Sequence, residues 1–237
     1  MPWALFDIET RIDKELIRDA LGYSANDDAQ SAYRLMREEL ASKQGVHDPF
    51  FPLTLHVPIS IAVGAVMDDY SMRPVETIAG EDSAAMVHNF WARAERFPGA
   101  FVTYNGRAFD WPVLELAAFR YSVPIPNYFS TETRHRYRER HLDLHDFISN
   151  YGAVRNLRGG LSLLSVLLGM PNKGEIDGSQ VQALYEAGRV DDIHRYCRND
   201  VRRLYLIFLQ VQLMRGALKP ETYTQIVTDH PVALEEE

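Results

Sequence analysis

The stretch Phe6-Asp7-Ile8-Glu9-Thr10 places the tightest constraint on what this chain can fold into. It closes an apolar run that begins at Pro2 and reads as the end of a short strand. Side chains two apart on a strand share a face, so Asp7 and Glu9 stand side by side. Two like charges at the end of a buried strand repel each other and lose hydration, and they call for a compensating positive charge. Hard divalent cations with oxygen ligands, magnesium or manganese, are the natural partner. The plain alternative is a carboxylate pair that faces solvent at a strand end.

A chain of 237 residues can bury a substantial core as one domain, or as a domain with an insertion. Its one cysteine, Cys197, excludes an internal disulfide and fits a reducing compartment. No apolar run is long enough to cross a bilayer and no leader pattern opens the chain, so a cytoplasmic protein without a membrane partner is expected. The net charge of -8 excludes a protein that coats nucleic acid by charge alone, which needs a dense basic surface. An enzyme acting on phosphates remains open, because carboxylates loaded with metal ions tolerate an anion.

Beyond Glu9, helical spacing over Ile12 to Gly22 and over Ser31 to Lys43 predicts two helices, with a polar piece between them and Phe50, Phe51 and Pro52 in a loop. Residues 11–55 read as a helical insertion between strands, either a solvated excursion or a flap over a cleft. Val57 to Val66 is apolar and β-branched, a buried strand, and Arg73 to Ala79 reads as its hairpin partner. A helix over Ser83 to Phe97 and a strand over Ala100 to Tyr104 follow. Trp111 to Tyr121 reads as a helix with Pro112 in its first turn and Asp110 at or near its N-cap. Between Ile125 and Arg140 the residues Arg134, Arg136, Arg138 and Arg140 form a basic patch, either a phosphate contact or a solvated surface. A short strand at His141 to Leu144, helices over Leu161 to Leu168, Ser179 to Glu186 and Asp191 to Leu213, and a weakly patterned tail complete the chain. The pattern is α/β, in one compact domain.

Two more places supply acids that could meet Asp7 and Glu9. One is the loop Asn105-Gly106-Arg107-Ala108-Phe109-Asp110. The other is Tyr196-Cys197-Arg198-Asn199-Asp200, where a spacing of four puts phenol and carboxylate on one helical face. In this chain order the three places resemble the DEDD family of 3′-to-5′ exonucleases, in its tyrosine-bearing branch. The form of the middle motif is similar to the proofreading domain of family-B DNA polymerases. The strings Leu168 to Val181 and Tyr196 to Val201 look like those of stand-alone exonucleases related to that domain.

The resemblance, over residues 1–213 with 214–237 as an extension, implies a ribonuclease-H-like fold: a central mixed sheet, its first three strands antiparallel, flanked by helices. It implies that Asp7, Glu9, Asp110, Tyr196 and Asp200 are catalytic, the four acids holding two Mg2+ or Mn2+ ions and Tyr196 orienting the attacking water. Ile8, Thr10, Asn105 and Phe109 would meet the 3′ end of a single-stranded nucleic acid, with core packing as their alternative. No polymerase domain fits in the chain. Asp143 is read as a backbone acceptor or a catalytic acid, Lys173 as an exposed lysine or a phosphate contact, and His194 as a bystander. The competing reading of the whole is a nucleic-acid-binding module that kept the fold and lost the chemistry.

Overall fold

The computed structural model describes residues 2–20, 22, 28–154, 160–171, 178–229 and 232–235. In chain order the elements are β1 (Trp3–Ile12), α1 (Lys14–Ala20), α2 (Ala29–Gln44), β2 (His56–Val66), β3 (Glu76–Thr77), α3 (Ser83–Ala94), β4 (Ala100–Thr103) and α4 (Asp110–Arg120). They continue with α5 (Pro126–Ser130), β5 (His141–Asp143), α6 (Leu144–Ile148), α7 (Gly160–Leu167), α8 (Val181–Glu186), α9 (Val190–Met214) and α10 (Pro220–Asp229). The strands form one sheet in the order β3-β2-β1-β4-β5. β1 and β2 are antiparallel, as are β2 and β3, while β4 and β5 run parallel to β1. Sheet and helices make the expected α/β architecture.

Three expectations change in detail. β1 does not end at Glu9 but runs on to Ile12, pairing Thr10, Arg11 and Ile12 with Pro58, Val57 and His56 across a register shift between Glu9 and Thr10. Asp7 and Glu9 therefore stand within a long strand, not at the end of a short one, and α1 starts only at Lys14. The returning strand expected over Arg73 to Ala79 shrinks to the two residues of β3, so the antiparallel part of the sheet is mainly the β1–β2 ladder. Pro74, which has no amide hydrogen to give a ladder, stands between the Val66–Met72 bridge and β3. The tail, weakly patterned in sequence, forms α10, whose Ile226 joins Leu218 in the core beneath α9.

Alternation along β1 divides the core between the two faces of the sheet. Phe6 and Ile8 pack with Phe90 and Trp91 of α3 and with Trp111 and Leu114 of α4. Leu5 faces the other way, toward Val201, Leu204 and Phe208 of α9. α9 comes close because β2 offers small residues there. A Cβ on Gly64 would lie 3.1 Å from Val201 Cγ1 and 2.9 Å from Met72 Sδ. Among the described residues no helix is long and apolar enough to cross a membrane.

Candidate active site

Asp7 and Glu9 follow Leu5 on the face of β1 that α9 covers, opposite Ala62 and Ser60 of β2. α9 crosses that face and brings Asp200 to them. One carboxylate oxygen from each of Asp7, Glu9 and Asp200 lies within 4.8 Å of the others. Asp200 is 6% exposed, whereas Asp7 and Glu9 are half-buried. Three carboxylates so close repel one another strongly in a medium drier than water, and a cluster of hard oxygen donors suits a hard divalent cation.

The wall behind the cluster is neutral. Cys197, fully buried, donates its thiol to the Asp7 carbonyl at 3.3 Å and lies 3.7 Å from Asp7 Oδ2. Burial, with the negative charge of Asp7 and Glu9, pushes this thiol well above its ordinary pKa, so it remains protonated. Next to it, His194 Nδ1 lies 2.9 Å from the hydroxyl of Ser60, the residue opposite Glu9. Burial lowers the imidazole pKa, so this contact is between neutral groups. His194 is thus tied to β2 rather than standing apart. Tyr196, half-buried, packs against the hydrophobic cluster of Ile59, Val181, Leu184 and Ile193.

Asp110 approaches from the other side of β1. It is the first residue of α4, next to the N-cap position, which Phe109 occupies without a side-chain cap bond. The Asp110 carboxyl is 4% exposed and accepts from the Ile8 amide, which sets it against the strand that carries Asp7 and Glu9. Burial, with the nearby charge of Asp143, pushes its pKa up to about 7 against the pull of its backbone hydrogen bonds. It stands beside the three-carboxylate cluster rather than within it.

The loop before α4 is held by Asp143, one of the two uses foreseen for it. Its Oδ1 accepts from the Asn105 amide and its Oδ2 from the Arg107 amide, both at 2.9 Å, while Oδ1 also caps α6 through the His145 amide at 3.0 Å. Asn105 is left-handed, with φ of 62°. Gly106 passes so close to β4 that a Cβ there would fall 2.3 Å from Thr103 Oγ1. Phe109 lies against His56, and His56 Nδ1 meets the Thr10 hydroxyl at 2.7 Å. The side chain of Ile8 is buried in the core and leaves only its backbone for the site.

The basic patch is internally paired. Arg134 binds Glu115, Arg136 and Arg107 bind Asp146 at 3.0 Å, Arg138 binds Glu132 at 2.6 Å, and Arg140 donates to the carbonyls of Phe97 and Gly99. Lys173 lies outside the described residues. One residue escaped the sequence reading. Arg203, three positions after Asp200, is 2% exposed and lies 4.0 Å from that carboxylate. It donates to Ser165 Oγ of α7 and to the Pro171 carbonyl, both at 2.9 Å, and so ties α7 to the helix that carries Asp200. A charged residue interrupting the apolar stripe of α9 was the available signal.

The fold is similar to that of the family B DNA polymerase from the hyperthermophilic archaeon Pyrobaculum calidifontis, with a TM-score of 0.56 at 17% identity. That match covers 90% of this chain and 24% of the polymerase, so the chain spans about a quarter of that protein's length. No curated protein matches the sequence. A family model described as a predicted 3′-5′ exonuclease related to the exonuclease domain of PolB matches residues 48–237. The match takes in Asp110, Tyr196 and Asp200, while β1 with Asp7 and Glu9 precedes it. The chain belongs to this family of predicted 3′-5′ exonucleases related to the PolB exonuclease domain.

Proposed function

We propose that this chain hydrolyses phosphodiester bonds one nucleotide at a time from the 3′ end of single-stranded DNA, with RNA and short oligonucleotides as further substrates. The observation that carries the reading is the meeting of Asp7, Glu9 and Asp200 within 4.8 Å, contributed by a strand and a helix far apart in sequence. The donor set is oxygen only and fits magnesium or manganese. Asp7, Glu9 and Asp200 would hold one such ion, and Asp110, beside them, would help to hold a second. Bound there, such ions neutralise charge on the phosphate and supply hydroxide at neutral pH.

The chain's own residues bind and orient. Tyr196, four residues from Asp200 on α9, directs the attacking water by a hydrogen bond. Phenols ionise near ~10 in water, so positioning rather than proton abstraction is its task. Thr10 and the Ile8 backbone meet the terminal nucleotide, and Asn105 and Phe109 meet the next. Residues 1–213 form the catalytic domain, with the insertion at 11–55, and 214–237 are its extension. The lone buried thiol of Cys197 supports a cytoplasmic setting.

The test is digestion of 5′-labelled single-stranded DNA and matched RNA, with magnesium or manganese against EDTA, by the wild type and Asp200→Ala. A ladder shortening from the 3′ end that disappears in EDTA and in the variant is expected, and the two substrates rank the sugars. Binding without cleavage by the wild type would overturn hydrolysis and leave a nucleic-acid-binding module.

A further inference from the structure

Phe50 is 56% exposed, an apolar ring turned to solvent beside the candidate site. It does not sit on a loose loop. Its amide donates to Gln44 Oε1 at 2.9 Å and its carbonyl accepts from Gln44 Nε2 at 2.8 Å, so the last residue of α2 clamps the backbone on both sides. The ring stacks on His56, with centroids 5.4 Å apart and planes 28° from parallel. It also meets the edge of Phe109 at 5.9 Å, and Phe109 meets His56 at 5.2 Å. Three rings from three segments thus form one aromatic surface.

That surface is tied to the carboxylate strand. His56 Nδ1 lies 2.7 Å from the Thr10 hydroxyl, one residue after Glu9, and its Nε2 lies 3.3 Å from the Phe51 carbonyl. The second contact requires the proton on Nε2, which leaves Nδ1 to accept from Thr10. The imidazole is therefore fixed in plane as well as in position. A rigid, partly exposed ring stack continuous with a candidate phosphodiester-cleaving site has the chemistry of a base-stacking platform.

We propose that Phe50, backed by His56 and Phe109, stacks an unpaired base of the substrate strand upstream of the scissile phosphate, making the helical insertion the element that selects single-stranded 3′ ends. This rests on the exonuclease reading for its substrate. A base held in a duplex keeps its own neighbours and presents no free face, so a platform of this kind favours unpaired ends.

The probe is a single-stranded oligonucleotide with 2-aminopurine successively at each of the three 3′-terminal positions and hydrolysis-resistant phosphorothioate linkages between them, titrated with the wild type and with Phe50→Ala, Phe50→Trp and Phe50→Tyr in Mg2+. Stacking on an aromatic ring quenches 2-aminopurine. Quenching at one position is expected with the wild type and the two aromatic variants, and its loss in Phe50→Ala should accompany a weakening of binding of about tenfold. Cleavage of thymidine 5′-monophosphate p-nitrophenyl ester, which carries no upstream base, should be unchanged by Phe50→Ala. Quenching that depends on Phe50 in a chain that does not shorten the strand would support the platform and overturn the exonuclease reading. Shortening with wild-type affinity and quenching in Phe50→Ala would overturn the platform and leave the exonuclease reading standing. A Phe50→Ala chain altered only in self-association would likewise overturn it.

Discussion

Replacing Asp143 with alanine tests whether the loop from Asn105 to Phe109 is held from below. The carboxylate is 4% exposed and accepts the Asn105 and Arg107 amides on separate oxygens, each at 2.9 Å. Removing it strands two inward-facing backbone donors, at about 1–3 kcal/mol each. It also removes the side-chain cap of α6, a loss of about 1 kcal/mol. The sum is centred near about 5 kcal/mol, and for a chain of this size each kcal/mol moves Tm by about 2–4 °C. A fall in Tm of roughly 10–20 °C is therefore expected in a thermal melt. Strand shortening, assayed well below the new Tm, should fall as Asn105 and Phe109 lose their anchored positions. A Tm within about 2 °C of the wild type would refute the reasoning, because it would mean that water or a shifted loop satisfies both amides as well as the carboxylate does.

Gly106→Ala puts a methyl 2.3 Å from Thr103 Oγ1 and 2.5 Å from Thr103 Cβ, where neither β4 nor the loop can yield cheaply. A loss of at least about 2 kcal/mol is expected in a denaturant titration, and a midpoint equal to that of the wild type would show that the loop moves freely. Glu235 receives Arg198 at 2.5 Å and Arg202 at 2.7 Å, and these guanidiniums pull its pKa from 4.5 down to about 2. Because the folded value lies below the unfolded one, the tether's contribution is full above pH 4.5 and fades as the pH falls toward 2. Solvent screening holds it to about 1 kcal/mol. Glu235→Gln should flatten the stability profile across that acid window, and parallel wild-type and variant profiles would rule the tether out.

The carboxylate pair was legible because it depends on a local rule, the alternation of side chains on a strand. The spacing of four put Tyr196 and Asp200 on one helical face, but it was the resemblance of three motifs in chain order, not that spacing, that singled out Asp200. Features set by distant partners were not. Where β1 stops is decided by its pairing with His56 and Val57, at the far end of the insertion. The basic patch reads as free charge only until Glu115 and Asp146 are brought to it by the fold. Asp143 carried two possible roles, and only its approach to the Asn105 and Arg107 amides, 38 and 36 residues earlier, decides between backbone anchoring and chemistry. The place of Asp110 turned on whether the first turn of α4 began one residue earlier than the Trp111-Pro112 signal suggested.

The thiol of Cys197 meets the carbonyl of Asp7 across 190 residues of sequence. A nascent chain leaving the ribosome makes β1 first and α9 near the end, so Asp7 and Glu9 emerge well before Asp200 exists to join them. At about 5–20 residues per second, that interval is on the order of ten seconds or more. Throughout it the growing polypeptide carries two of the three carboxylates that the fold later brings together. Assembly of the cluster therefore waits for α9, and translation that stops before Asp200 leaves a fragment in which Asp7 and Glu9 lack that carboxylate.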